Sequence, residues 1–286
     1  MRARNSAPLP PRAVPGDYSG TVTTATSDPS LRWRYVVAEP MDGARNMAWD
    51  QALMARARRT GEAVLRVYAW TRPTLSLGRN QSARGAYDLD RAGHLGVDFV
   101  RRPTGGRALL HHREVTYSVT APDRFDATLS GAYARINRLL LAALHALDVP
   151  AELARPVRRT PSPGLSPCFD EPAAGEIVVA GRKLVGSAQW RHNGALLQHG
   201  SILLADDQGL IAELLRSRPR TGTPPAATLA AILGDAPPFG RVADALVTAL
   251  RRTAAAATPL AVDATLANDV DRAAEEFRDE AWTWRR

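Results

Sequence analysis

The clearest pattern along the 286 residues is a set of short apolar stretches interrupted by two long amphipathic segments. Apolar residues recur at helical spacing over residues 44–59 and again over residues 130–149. This spacing predicts one helix in each segment, with Ile136, Leu140 and Leu144 on the buried face of the second. We expect Ser130 to be the N-cap of that helix, because serine is favoured at this position.

The short apolar stretches predict strands, since they are rich in β-branched and aromatic residues and are bounded by turn residues. The predicted strands before the second helix cover residues 33–40, 63–70, 74–78, 97–102 and 113–120. Two more are expected in a hairpin over residues 176–190 that turns at Ala180–Gly181, followed by a strand over residues 195–204. In the strand over 113–120, Val115, Tyr117 and Val119 alternate and therefore share one face.

These elements fall into groups of strands separated by helices, not into regular βαβ units. The order predicts an α+β fold with mixed or antiparallel sheets flanked by helices. Residues 1–30 are rich in Pro, Ser, Thr and Gly and predict a disordered leader. We expect a catalytic domain over 31–217, then a proline-rich link and C-terminal helical extension over 218–286.

The chain carries 37 Lys+Arg against 29 Asp+Glu, a net charge of +8. Its arginines are spread along the sequence and form no basic run interleaved with aromatic residues, which argues against nucleic acid as a partner. An excess of positive charge suits acidic protein partners. No apolar run is long enough to span a bilayer and no signal-peptide core is present, so we expect a cytoplasmic protein without a membrane partner.

Two residue types occur once each and lie close together in the sequence. Cys168 is the single cysteine, within a proline-rich segment over residues 154–175, and Lys183 is the single lysine. A lone thiol is either a small buried hydrophobe or a reactive nucleophile. A lone lysine is commonly a solvated surface residue, but its compact ammonium also fits a tight site that arginine does not. Their proximity favours a joint site.

Glycine-containing strings supply the candidate binding residues. Gly105 and Gly106 are expected to connect the strands over 97–102 and 113–120 and to let the backbone approach a ligand closely. Arg101, Arg102 and Thr104 would supply donors, although a plain hairpin turn with solvated arginines explains the string equally well.

Two neighbouring strands carry a second set of candidates, which would line the floor of a pocket. The set comprises Gly186, Ser187, Ala188, Gln198, His199 and Gly200. Close packing between strands is the alternative explanation for their small size. His111 and His112 are adjacent on a strand and point to opposite faces, and no His/Cys/Asp set has zinc spacing, so we expect no metal site.

Five strings in a fixed order give these residues a common context. Together they resemble the lipoate and octanoate protein ligase and transferase family, whose sheet also resembles that of biotin protein ligases. The strings are "NMAWDQAL", "PTLSLGRNQ", "RRPTGGRALLHHREVTYSV", "CFDEPAAGEIVVAGRKLVGSAQWR" and "LLQHGSILL".

The resemblance implies a biotin/lipoate ligase-like catalytic domain in which the arginine-glycine string, with His111, and the strand of Lys183 form an acyl pocket. In that family the lysine contacts an acyl carboxyl or carbonyl oxygen. Where the family commonly has His-Asp, this chain has His111-His112, which leaves the role of His112 open.

The family holds two chemistries. Lipoate ligases use ATP and magnesium, whereas one octanoyltransferase branch takes its acyl group from acyl carrier protein through a cysteine. The string "CFDEP" before the hairpin resembles the cysteine loop of that branch, which delivers octanoate to the glycine-cleavage H protein.

The resemblance therefore implies an octanoyl thioester on Cys168, no cofactor, and two partners: octanoyl acyl carrier protein and a lipoyl-type acceptor domain. Exchange between thioesters needs no nucleotide, and the ammonium of Lys183 would favour the Cys168 thiolate and stabilise the oxyanion. The alternatives are an ATP-dependent lipoate-protein ligase, with Cys168 incidental, and a non-catalytic protein that binds acyl groups or carrier domains.

Overall fold

The computed structural model describes residues 31–155, residue 169, and residues 174–217 and 225–286. Three sequence-based expectations fall outside these residues: the leader over 1–30, the position of Cys168, and much of the proline-rich link after residue 217.

The described residues form helices and strands in nearly every segment where hydrophobic periodicity predicts them. The α-helices are α1 Gly43–Thr60, α2 Leu89–Leu95, α3 Leu129–His145, α4 Leu210–Leu214, α5 Leu229–Leu233, α6 Phe239–Thr253, α7 Ala264–Arg278 and α8 Glu280–Thr283. The strands are β1 Trp33–Val37, β2 Ala63–Tyr68, β3 Thr74–Leu77, β4 Asp98–Arg101, β5 Leu109–His111, β6 Glu114–Pro122, β7 Glu152–Leu153, β8 Ile177–Val179, β9 Arg182–His192, β10 Ala195–Leu203 and β11 Thr258–Pro259.

Among the described residues, the main sheet has the strand order β11-β1-β2-β6-β10-β9-β8-β7. The β11, β1 and β2 strands run parallel, and every pairing from β2 to β7 is antiparallel. A smaller sheet has the order β4-β3-β5. The predicted α+β class with mixed sheets flanked by helices is therefore confirmed.

Helices cover both faces of the main sheet. On one face, Val115, Tyr117 and Val119 of β6 pack in a hydrophobic cluster with apolar residues of α3 and α6, as the alternation in the sequence predicted. On the other face, α1 packs against α7 through a second cluster that includes Leu53 and Phe277. The helices after residue 225 therefore complete the hydrophobic layers of the sheet.

Local sequence determines where the two long helices begin. Asp42 is the N-cap of α1, and its side chain accepts a hydrogen bond from the Arg45 backbone N–H at 2.7 Å. For α3 the predicted cap is wrong: Thr128 has the extended backbone of an N-cap and accepts from the Gly131 N–H at 2.9 Å. Ser130 instead lies in the first turn, where its backbone is already helical.

The glycine string takes a different path from the one that its sequence predicts. Gly105 and Gly106 lead from β4 into β5, and only then does the chain enter β6. β5 pairs antiparallel with β3 in the smaller sheet. Because β5 has only three residues, its sequence carries too little alternation to be recognised as a strand.

A register shift between β8 and β9 determines which way Lys183 points. Val185 is paired with Ile177, whereas Lys183 is paired with Val178, so one residue of β9 has no partner on β8. Val185 joins the cluster under α3, while the Lys183 ammonium lies 5.3 Å from the ring centroid of Phe169, which packs in a separate cluster. The extra residue therefore turns Lys183 to the opposite face from Val185.

Gly78 follows β3 and lies directly against the glycine string. A Cβ atom on Gly78 would be 2.0 Å from the carbonyl oxygen of Gly106, whereas a Cβ atom on Gly105 would meet nothing within 4 Å. The close approach of the two backbones therefore requires glycine at 78 and not at 105.

We expect Gly78→Ala to lower the free energy of unfolding by about 1–3 kcal/mol or more, because a backbone atom has to move. Gly105→Ala is the matched control and should change it by less than about 1 kcal/mol. Urea denaturation of both variants tests this, and equal stability of the two would contradict the proposed role of the close approach.

Candidate active site

A cavity opens where the smaller sheet meets β9 and β10 of the main sheet. Its volume is about 400 Å³, a figure that includes the open space at its mouth. The described residues that line it are Met47, Tyr68, Arg102, Gly106, Leu109, His111, Thr116, Gly186, Ser187, Ala188, His199 and Gly200.

The structure brings many of the sequence-predicted binding residues together in this lining. The glycine string contributes Arg102 and Gly106, β5 contributes His111, and the strings on β9 and β10 contribute Gly186, Ser187, Ala188, His199 and Gly200. A role for each in binding stays a prediction. Met47, Tyr68, Leu109 and Thr116 also line the cavity and were not singled out by their sequence context.

The remaining candidates lie behind the cavity wall or on the other face of the sheet. Gln198 is fully buried and donates to the Tyr117 hydroxyl at 2.8 Å and to the Asn137 side chain at 3.1 Å. It therefore points under α3, as strand alternation requires for a neighbour of His199. Thr104 and Gly105 do not line the cavity in the described part of the chain.

The two arginines of the glycine string hold loops in place. Arg101 is fully buried, and its guanidinium donates to the carbonyls of Gly78 at 2.6 Å, Gln81 at 2.8 Å and Thr283 at 2.8 Å. Arg102 donates to the Gly105 carbonyl at 2.9 Å while also lining the cavity. Arg101 is thus committed to backbone acceptors away from the cavity.

A buried carboxylate organises the polar side of the cavity. Asp50 of α1 is fully buried and accepts hydrogen bonds from Ser118 at 2.7 Å and from Tyr68 at 3.1 Å. Its carboxylate also forms an ion pair with the fully buried Arg66 at 3.1 Å, and it lies 2.9 Å from Nδ1 of His199.

These contacts fix the protonation state of the site. Burial alone would raise the pKa of Asp50, but the hydrogen bond from His199 and the charge of Arg66 hold it below 3.8. Burial lowers the pKa of His199 below 6.5 despite the neighbouring carboxylate. His199 is therefore neutral at pH 7, with its Nδ1–H donating to Asp50 and its bare Nε2 accepting from the Thr104 hydroxyl at 2.6 Å.

A second carboxylate–histidine pair lies on the opposite wall. Glu114 is 2.7 Å from Nδ1 of His111, and Nε2 of His111 is 2.8 Å from the Ser76 hydroxyl. The His111 ring stacks on Trp70 with a centroid distance of 4.0 Å. His112, one residue later, is exposed and contacts Asp207, but it lies beyond the end of β5, so the expectation that both histidines belong to one strand is wrong.

Lys183 is buried beside the cavity with a carboxylate partner. Its side chain is 3% exposed, and its ammonium donates to Oε1 of Glu176 at 2.8 Å. The ammonium also lies over the ring of Phe169, which packs with Leu203, Ala226 and the cavity residue Leu109. Lys183 itself is not among the described residues that line the cavity. It contacts Phe169, and Phe169 packs in one cluster with the cavity residue Leu109.

Sequence reasoning missed two carboxylates that matter here, Asp50 and Glu176. Asp50 was detectable, since it lies three residues after Met47 and four before Met54 and so belongs to the buried stripe of α1. A charged residue in such a stripe indicates a paired, buried group. Glu176 has no such signal, because its contact with Lys183 depends on the hairpin register.

The described residues contain no cluster of three or more His, Cys, Asp or Glu side chains able to hold a metal ion. None of the helices in the described ranges is both long and apolar enough to cross a membrane.

Comparison with known proteins places this site in a family. A model of the lipoyl protein ligase A/B catalytic domain matches residues 42–251. Octanoyltransferase LipM of Kyrpidia tusciae is 43% identical over 192 residues, which cover 64% of this chain and 70% of that protein. Octanoyltransferase LipM of Exiguobacterium sibiricum is 35% identical over 276 residues, covering 89% of this chain and 99% of that protein.

The chain belongs to the lipoyl protein ligase A/B family. The resemblance carried by the five sequence strings is thereby confirmed. Solved structures show the same fold: a bipartite lipoate protein ligase from Thermoplasma acidophilum has a TM-score of 0.72 at 19% identity, covering 89% of this chain and 96% of that one. Lipoate-protein ligase A bound with ATP has a TM-score of 0.70 at 19% identity, covering 89% and 99%.

The lowered pKa of His199 predicts a pH dependence of stability. Below pH 6.5 the unfolded chain binds a proton at this residue that the folded chain does not, so the free energy of unfolding falls as the pH falls. One residue contributes at most about 1.4 kcal/mol per pH unit. Urea denaturation at several pH values between 7.5 and 5.5 gives the free energy of unfolding as a function of pH. This free energy should change less with pH in His199→Gln than in the wild type, and an equal change in both would contradict a neutral buried His199.

Proposed function

We propose that this protein is an octanoyltransferase of lipoate assembly. It moves an octanoyl group from acyl carrier protein to a thioester on Cys168, and then to a lysine of a lipoyl-type acceptor domain such as the glycine-cleavage H protein. The observation that carries the proposal is the buried ammonium of Lys183, which lies against Phe169, the residue that follows Cys168 in the sequence.

The identity with relatives named Octanoyltransferase LipM supports the proposal, most directly through the one that matches along 99% of its length. The cavity supports it as well, because Met47 and Leu109 give its lining apolar side chains that suit an aliphatic chain. No nucleotide is needed for an exchange between thioesters.

Lys183 and Glu176 suit the activation of a thiol. Consecutive Cα atoms are about 3.8 Å apart, so the backbone of Cys168 adjoins that of Phe169. An ammonium in this neighbourhood favours the thiolate, which is the nucleophilic form. Glu176 accepts a hydrogen bond from this ammonium at 2.8 Å and so fixes its position, and we assign it as a positioning residue.

The reaction has two half-reactions. The Cys168 thiol loses its proton, and the thiolate adds to the carbonyl carbon of the octanoyl thioester. The tetrahedral oxyanion then collapses with cleavage of the C–S bond to the carrier, and the expelled carrier thiolate takes up the proton that Cys168 released. A neutral lysine amine of the acceptor domain then adds to the Cys168 thioester. Collapse breaks the C–S bond and forms the amide, and the proton released from the amine passes to the expelled thiolate. Lys183 stabilises the oxyanion in both halves.

The positive charge of the chain fits two acidic protein partners, which complementary charge would steer to the enzyme. We place the reaction in the cytoplasm, because a single catalytic thiol needs a reducing compartment to remain free.

An ATP-dependent lipoate-protein ligase is the second candidate. The observation in its favour is the fold shared with lipoate-protein ligase A bound with ATP. It differs from the first in requiring free lipoate, ATP and magnesium, and in leaving Cys168 without a chemical role.

Incubation with octanoyl acyl carrier protein in the absence of ATP should add one octanoyl mass to the intact protein, and hydroxylamine should remove it. Because Cys168 is the single cysteine, a hydroxylamine-labile adduct can be assigned without further mapping. Cys168→Ala should form no adduct and should transfer no octanoate to an acceptor domain. Transfer by this variant would overturn the proposal, and activation of free lipoate that needs ATP would favour the ligase.

Lys183→Arg should lower the rate of Cys168 acylation about as much as Lys183→Ala, by roughly 100-fold or more, because the buried slot accepts a compact ammonium and an oxyanion donor is lost. Single-turnover acylation followed by mass spectrometry measures the rate. Arg182→Gln is the matched control on the exposed neighbouring position and should leave it within twofold. A near-normal rate for Lys183→Arg would show that positive charge alone suffices.

A further inference from the structure

Two arginines and two tryptophans form a compact patch that the mechanism above does not use. The Arg79 guanidinium lies over the ring of Trp190 at 4.7 Å and over that of Trp282 at 5.7 Å. The Arg285 guanidinium lies over the Trp282 ring at 3.9 Å and donates to the Arg79 carbonyl at 2.6 Å. We call these four residues the arginine–tryptophan patch.

The patch adjoins the wall of the cavity. Arg79 follows Gly78, whose backbone touches that of the cavity residue Gly106, and the Arg79 N–H donates to the Thr104 carbonyl at 2.7 Å. Trp190 lies two residues after the cavity residue Ala188 on β9, and therefore on the same face of that strand. A ligand extending from the cavity between β9 and the glycine string meets the patch.

The positive charges of the patch lie close together, and the carboxylate of Glu276 acts on Arg285 without forming a salt bridge. Neither Arg79 nor Arg285 forms a salt bridge among the described residues, although each is half-buried. Burial, together with the charges of Arg79 and Arg286, lowers the pKa of Arg285 although the charge of Glu276 acts in the opposite direction. Burial and the charges of Arg285 and Arg286 likewise lower the pKa of Arg101 to about 10. An anion at the patch would relieve this repulsion.

We propose that the arginine–tryptophan patch binds the phosphodiester of the phosphopantetheine arm that carries the octanoyl thioester on acyl carrier protein. The inference rests on the proposed function and identifies where that donor is held. Stacking on indole rings leaves the N–H edge of the Arg79 guanidinium for hydrogen bonds, and this edge matches the oxygen geometry of a phosphate. The two arginines form one small cationic site beside the cavity, and such a site suits a single phosphate on a flexible arm. The carboxylates of an acidic acceptor domain are spread over its surface and would not concentrate at this one site.

Two small donors that differ only in the phosphate test the proposal on the unaltered enzyme. These are octanoyl-phosphopantetheine and octanoyl-pantetheine, and the readout is kcat/KM for acylation of Cys168. We expect a preference of about tenfold or more for the phosphorylated donor, as charge-assisted hydrogen bonds provide. Equal values for the two donors would overturn the inference and leave the acyl-enzyme mechanism intact. Absence of acylation by every donor would instead overturn the proposed function.

Substitution then locates the preference. The ratio of kcat/KM for the two donors should fall to near one in Arg79→Gln and in Arg285→Gln. Two variants are used so that a folding defect in one leaves the other as a test. Arg252→Gln, at an exposed position in the last turn of α6, is the matched control and should keep the full ratio. A retained ratio in both patch variants would overturn the assignment. A retained ratio combined with a raised KM for the acceptor domain would assign the patch to the acceptor instead.

Discussion

The Asp50 carboxylate connects four elements of this fold, and the shape of the cavity depends on it. It lies on α1 and receives hydrogen bonds or charge from Arg66 and Tyr68 on β2, Ser118 on β6 and His199 on β10. An ionised group without such partners would be far too costly to bury. Because these four partners come from three strands, the cost of leaving Asp50 unpaired opposes any slippage of α1 across the sheet.

The same network extends to the glycine string. Since the Asp50 charge holds the proton of His199 on Nδ1, the free Nε2 is available to the Thr104 hydroxyl. Thr104 precedes Gly105 and Gly106, so a hydrogen bond attaches the loop on one side of the cavity to β10. Asp50 sets the direction of this bond, because it holds the proton of His199 on Nδ1. The buried arginines act in a related way, because Arg101 and Arg102 bind the carbonyls of loops that lack regular backbone partners.

Much of this architecture could be predicted from the sequence, and the reasons for the failures are physical. The long helices and the face shared by Val115, Tyr117 and Val119 follow from periodicity, which is a local property. The contact between Thr104 and His199 joins residues 95 positions apart and depends on strand order, which local patterns do not encode. The N-cap of α3 was assigned to Ser130 because serine and threonine both suit the position, and only the backbone at Thr128 distinguishes them.

The orientation of Lys183 shows most directly why a candidate residue can be identified from sequence while its environment cannot. Side chains on a strand alternate with a period of two, so an unbroken β9 would place Lys183 and Val185 on one face, under α3. One unpaired residue in the register with β8 reverses this. The ammonium then meets Glu176 and Phe169, whereas Val185 packs in the apolar cluster under α3. The irregularity of the strand therefore sets the environment in which the single lysine of the chain is buried.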